Sequence, residues 1–138
     1  LFSLETIGYY SDRAGSQAHP WPLSLVYPDT GNFVAFVSNR ASASLVRRAI
    51  RVFRATTAFP SEGAALPSGV AGVSWSDQWA FWEHDYPGVM LTDTAPFRDP
   101  NYHSASDRPG NIDFDRMARV TSGIERVLRH LASGNDGG

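Results

Sequence analysis

The sequence predicts an α/β fold, with helices covering a sheet, on three observations. Apolar, β-branched segments recur at residues 1–10, 32–39 and 89–92. Two other stretches, 41–56 and 113–132, carry apolar residues at helical spacing. Proline-rich connections separate these segments, and strands alternating with helices are the pattern of a layered domain.

The segment Leu1–Tyr10 reads as a buried strand. Ser11–Thr30 holds three prolines and no period, so it is a long loop, of the kind that shapes a surface or a site. Asn32–Asn39 is apolar on both faces and is expected to be a central strand. In the helix over 41–56, Val46, Ala49, Ile50 and Phe53 share a face, and Ser42 or Ser44 can cap it. Its Arg47, Arg48, Arg51 and Arg54 read as a solvated face. Pro60–Gly72 is loop with room for a short strand. Ser76-Asp77 starts a short helix carrying Trp79, Phe81 and Trp82, which ends before Pro87. Val89–Thr92 is a third strand, and Asp93–Gly110 is a second long loop. Asp113 caps the last helix, with Met117, Val120, Ile124, Val127, Leu128 and Leu131 as its stripe and Gly134 as its stop. The segment 133–138 is expected to be a disordered tail. Three strands make a thin sheet for segments apolar on both faces, which points to further strands from elsewhere.

Composition bounds the function. The 138 residues suit one domain, and 42% hydrophobic with 19% charged residues is the balance of a globular chain. No apolar run approaches the roughly 20 residues of a membrane span. Twelve Arg, no Lys and a net charge of -2 argue against a nucleic-acid binder. The absence of Cys excludes disulfides, thiolate zinc sites and cysteine nucleophiles. A metal site must then draw on carboxylates and the four histidines. The opening Leu1-Phe2-Ser3-Leu4 is no signal peptide and reads as entry into the middle of a strand. It leaves localisation open between secreted and cytoplasmic.

Few residues carry chemistry. Glu5 sits within an apolar strand, where a carboxylate is costly unless paired or bound to a metal. A solvent-reaching strand end or a partner such as Arg13 would equally account for it. His103 follows Tyr102 in a loop past a strand, with Asp107 four residues on as a candidate hydrogen-bond partner. His19, His84 and His130 read as structural or solvated. Asp77 with Ser76 reads as a helix start, and Trp75, Trp79, Phe81 and Trp82 read as core. No Gly-x-Ser-x-Gly elbow occurs, and Gly69-Val70-Ala71-Gly72 lacks the lysine of a phosphate loop.

Together, several segments resemble one family. Leu4-Glu5-Thr6-Ile7-Gly8-Tyr9-Tyr10-Ser11-Asp12 with Gly15-Ser16-Gln17, the strand within Tyr27–Asn39, Ser76-Asp77-Gln78-Trp79-Ala80-Phe81-Trp82, and Thr92–His103 with Ser106-Asp107-Arg108-Pro109 carry the likeness. They are similar, in order and spacing, to the C-terminal half of dizinc aminopeptidases. These are the leucyl-aminopeptidase-type zinc metallopeptidases, whose superfamily also holds glutaminyl cyclases and transferrin-receptor-like proteins. The resemblance runs from Leu4 to about Leu131. It implies that 1–132 is part of a three-layer α/β/α zinc-exopeptidase fold with a mixed, mostly parallel sheet. It implies that Glu5 binds one zinc and His103 the other, with Asp107 supporting His103. By the same resemblance, Phe97 and Tyr102 lie near the pocket for the substrate's N-terminal side chain, and Asp77 is a supporting acid.

Two departures matter. Gln78 stands where the family has a histidine, so a charged role there is lost. The bridging carboxylate, the other ligands and the glutamate base of the family precede the Glu5 segment, and this chain holds none of them. The expectation is therefore a zinc aminopeptidase part that acts on a peptide or amino-acid amide and needs its missing N-terminal half. Alone it is expected to be inactive. The alternatives are a non-catalytic peptidase-like binding or assembly domain that dimerises, and a fragment with no independent role.

Overall fold

The computed structural model describes residues 1–134. Four strands, β1 (Phe2–Glu5), β2 (Val34–Ser38), β3 (Ser61–Ala65) and β4 (Val89–Thr92), form one sheet in the order β1-β4-β2-β3. β1 runs parallel to β4 and β2 parallel to β3, and the two pairs meet antiparallel between β2 and β4. The fold is therefore α/β, as the sequence pattern predicts, and its sheet is mixed and mostly parallel, as the resemblance implies. β3, which the sequence leaves as loop with room for a strand, completes it.

β2 is central and buried at every position, which its doubly apolar sequence demands. One face of the sheet is covered by α1 (Ala43–Thr56) and α3 (Phe114–Ala132). Val34, Phe36, Val89 and Leu91 of the sheet meet Val46, Ala49 and Phe53 of α1 and Val120, Ile124 and Val127 of α3. Gly123 lets the two helices close: a Cβ there would stand 2.4 Å from the Phe53 ring. Among the described residues, the opposite face carries the five-residue α2 (Gln78–Trp82) and long loops. There Phe33, Ala35, Val37 and Met90 pack against Val73 and Trp82.

The Asp113 cap forms as expected, accepting from the Arg116 backbone N–H at 2.9 Å. Gly134, at φ +66, follows the helix end. Ser133 and Gly134 thus belong to the helix terminus, and the rest of the predicted disordered tail, 135–138, lies outside the described residues.

Several expectations are corrected. The first strand ends at Glu5 rather than Tyr10, and it is an edge strand with Leu4 55% exposed. Its chain then turns at Thr6, which holds a left-handed φ of 47°. Ser42 occupies the N-cap position of α1 without capping it; its hydroxyl accepts from the Gly88 N–H instead. Of the aromatic set expected in the core, only Trp82 is buried; Trp75 is exposed in the loop before α2, and Trp79 and Phe81 are exposed because so short a helix turns one face inward. Leu128 lies off the buried stripe of α3, 44% exposed.

Candidate functional site

The C-terminal ends of β1 and β4 lie side by side, with Glu5 paired to Thr92. Ligands of open α/β sheets gather beyond such ends. Three of the four positive-φ non-glycine residues among those described, Thr6, Thr94 and His103, follow these two strands in the chain. Backbone held in that region costs on the order of 1–3 kcal/mol per residue and persists only where other interactions enforce it.

Here the enforcement comes from Asp93. Its carboxylate is 1% exposed and accepts from the Thr6 hydroxyl at 2.7 Å and from the Gly8 and Tyr9 N–H groups at 2.8 Å each. Its own N–H donates to the Thr6 carbonyl at 2.9 Å. Burial pushes the Asp93 carboxyl above its ordinary range, against the pull of these donors and of the Arg98 guanidinium. Arg98, also buried, donates to Gln17 Oε1 at 2.7 Å and to the Phe33 carbonyl at 2.9 Å. Its guanidinium lies 4.5 Å from the Phe33 ring centre, and burial draws its pKa down to about 10, still cationic at neutral pH. Thr94 donates to the same Gln17 oxygen at 3.0 Å. Asp93, Arg98 and Gln17 thus fix both loops that leave the strand ends.

The face without α1 and α3 holds a cavity of about 100 Å³. Glu5, Thr92, Ala35 and Glu62 line it, with Phe97, Tyr102, Trp75, His19 and Tyr27 around them. Glu5 is half-buried, and among the described residues its carboxylate accepts no hydrogen bond and makes no ion pair. Arg13, a conceivable partner, is exposed and does not reach it. Burial and then the charges of Glu5 and Asp93 raise the Tyr102 phenol, which fits a Tyr102 hydroxyl on the Glu5 side of the cavity. The His103 ring stacks on Tyr102 with centres 3.9 Å apart, and His103 itself is exposed.

The structure therefore brings Glu5, Phe97 and Tyr102 to one cavity, with His103 against the Tyr102 ring. Asp107 and Asp77 do not join them. Asp107 is exposed, and its expected hydrogen bond to His103 is not made. Asp77 is exposed at the start of α2, makes no cap bond, and does not line the cavity; its neighbour Ser76 bonds the Ser3 hydroxyl at 2.8 Å. Gln78 is buried, donating to the Val73 carbonyl at 2.8 Å, in the packing beneath α2. Sequence reasoning did not single out Asp93, Arg98 or Gln17, and read His19 as structural or solvated. Asp93 alone had a usable signal, an acid directly after an apolar strand. His19 lines the cavity and contacts the Pro28 carbonyl at 2.9 Å.

Among the described residues, no three His, Asp or Glu side chains converge as a metal site. No helix among them is long and apolar enough to cross a membrane.

Fold and site define an α/β chain whose open sheet face bears an apolar cavity with carboxylates on its lining. The chain is 33% identical over 129 residues, 93% of its length, to the uncharacterized protein YfbL of Escherichia coli K12. It spans 40% of the length of that relative. No protein-family model matches the chain, and no solved structure matches it.

Proposed function

We propose that this chain is the C-terminal part of a zinc-dependent aminopeptidase that hydrolyses N-terminal peptide bonds, with two zincs in the complete site. One observation carries the reading. The Glu5 carboxylate is half-buried and unpaired at a strand end that faces an apolar cavity. A carboxylate left so is costly unless a cation completes it. His103 supplies an imidazole beside Tyr102 at the same end of the sheet. One carboxylate oxygen and one imidazole nitrogen are donors that suit zinc.

The zinc pair would supply Lewis acidity and a bound water of lowered pKa. The chain's own residues position the metals and the substrate. Glu5 and His103 would each hold one metal. The Asp93 clamp keeps the Glu5 strand end in place. Phe97 and Tyr102 receive the substrate's N-terminal side chain and exclude water from it. The other ligands and the general base must come from outside this chain.

In the full-length protein, amino-acid anilides should be hydrolysed in the presence of zinc, and Glu5→Ala or His103→Ala should each lower kcat/KM by at least about 100-fold. Retention of full activity in either variant overturns the assignment. A second reading, a non-catalytic assembly domain that dimerises, draws on the exposed edge strand β1. Zinc titration with sedimentation separates the two, since two tightly bound zincs in a monomer exclude the second.

A further inference from the structure

The strand register lays the cavity floor as a straight row across the sheet. Glu5 pairs with Thr92, Thr92 with Ala35, and Ala35 with Glu62, and all four line the cavity. The next row on the same face, Met90, Val37 and Ala64, is apolar and lines it too. With strands about 4.8 Å apart, the Glu5 and Glu62 backbones stand about 14 Å apart. The cavity is thus a short trough with small residues along its floor and a carboxylate at each end.

Glu62 keeps its charge available. Its only ion pair among the described residues is with Arg54 at 3.8 Å, between side chains 55% and 34% exposed. Such a pair contributes little. Arg54 is engaged more closely by Ser61, through its hydroxyl at 3.1 Å and its carbonyl. The Tyr27 hydroxyl donates to the Gly63 carbonyl at 3.0 Å beside Glu62. Burial and then the Glu62 charge raise the Tyr27 phenol, which sits on the cavity wall.

We infer that the cavity selects a substrate residue whose side chain ends in a cation, lysine or arginine, with the cationic head at Glu62. Lysine and arginine have the required shape: an apolar stem that lies along Thr92, Ala35, Val37 and Met90, and a charged head that remains at the wet edge. A purely apolar side chain would fill the trough but leave Glu62 with only its long, exposed pair to Arg54. The inference rests on the aminopeptidase reading for the reaction at the Glu5 end, but not for recognition at the Glu62 end.

Calorimetric titration of the full-length protein in zinc-free buffer, where the amides are not cleaved, with L-lysinamide and L-norleucinamide tests it, because the two differ chiefly in the terminal ammonium. Lysinamide should bind about tenfold more tightly, and Glu62→Gln should bring the two within about threefold. Glu62 is a half-exposed edge-strand residue, and an unchanged thermal midpoint would show that the variant folds. Equal or tighter binding of norleucinamide by the native protein, or no binding of either, overturns the inference, as does a lysinamide preference that survives in Glu62→Gln. Anilide hydrolysis distinguishes the two proposals. Hydrolysis without a lysinamide preference sinks only this inference; a Glu62-dependent preference without zinc-dependent hydrolysis sinks only the peptidase reading.

Discussion

On one face of the sheet, Val34, Phe36, Val89 and Leu91 disappear under α1 and α3. On the other, Glu5, Thr92, Ala35 and Glu62 face a cavity closed only by loops and a five-residue helix. The same four strands supply both, because successive side chains alternate between the faces. The helix-covered face is packed in the way that makes stability. The loop-covered face carries half-exposed carboxylates and strained backbone, which lower stability. Substitutions should therefore divide by face: large losses of stability on the first, losses of binding or activity with small stability effects on the second.

Phe53 gives the sharpest test. It is fully buried, meets Phe36 edge-on with ring centres 5.2 Å apart, and lies against Gly123. Phe53→Ala leaves a cavity between α1, α3 and the sheet and should cost about 3–5 kcal/mol in urea denaturation. Phe97→Ala, at the half-buried cavity wall, should cost far less and show instead in substrate KM. Equal stability losses at the two phenylalanines would break the comparison.

Asp93 stands between the faces, holding Thr6, Gly8 and Tyr9 from beneath. Asp93→Asn replaces one accepting oxygen by a donor and should cost about 1–3 kcal/mol at neutral pH. The pH dependence has a definite sign. The folded pKa lies above the ordinary 3.8 because burial outweighs the donors and Arg98. The proton is therefore held longer by the folded state. The part of the Asp93 contribution to stability that is linked to the retained proton is fully present below about pH 4 and is lost as pH rises through the raised folded value, while the hydrogen bonds to Thr6, Gly8 and Tyr9 remain. Denaturation between about pH 4.5 and 7 should show the gap between native protein and Asp93→Asn narrowing as pH rises. A gap that widens instead would mean that the hydrogen bonds and Arg98 outweigh burial.

How much of this was legible in the sequence follows the same division. The helix-covered face obeys periodicity, so Val46, Ala49, Phe53, Val120, Ile124 and Val127 could be assigned from spacing alone. The Asp113 cap was equally local. Leu128 was misplaced because adjacent Val127 already fills the stripe, and spacing does not fix the width of a face. On the cavity face, spacing carries little. β3, Ser-Glu-Gly-Ala-Ala, has no strong strand residue and exists because β2 pairs with it. The exposure of Trp79 and Phe81 depends on how short α2 is. Glu5 was legible as a costly carboxylate, but its lack of a partner, and its alignment with Glu62, needed the strand register. The Asp93–Arg98–Gln17 network joins residues up to 81 positions apart and left only one acid after a strand as a trace.

Glu5 supplies the smallest stability effect and the clearest separation of the faces. Its carboxylate has no hydrogen bond or ion pair among the described residues to lose. Glu5→Gln keeps the shape and removes an uncompensated charge, so thermal or urea denaturation of the metal-free protein should show a small gain in stability, about 0.5 kcal/mol. Zinc should reverse the ranking. If Glu5 is a ligand, saturating zinc stabilises the native protein by mass action, and Glu5→Gln should lose much of that increment. A metal-free loss comparable to that at Phe53 would mean that Glu5 is held by contacts within the fold. Equal zinc stabilisation of both proteins would remove Glu5 from the metal site while leaving the packing contrast between the faces intact.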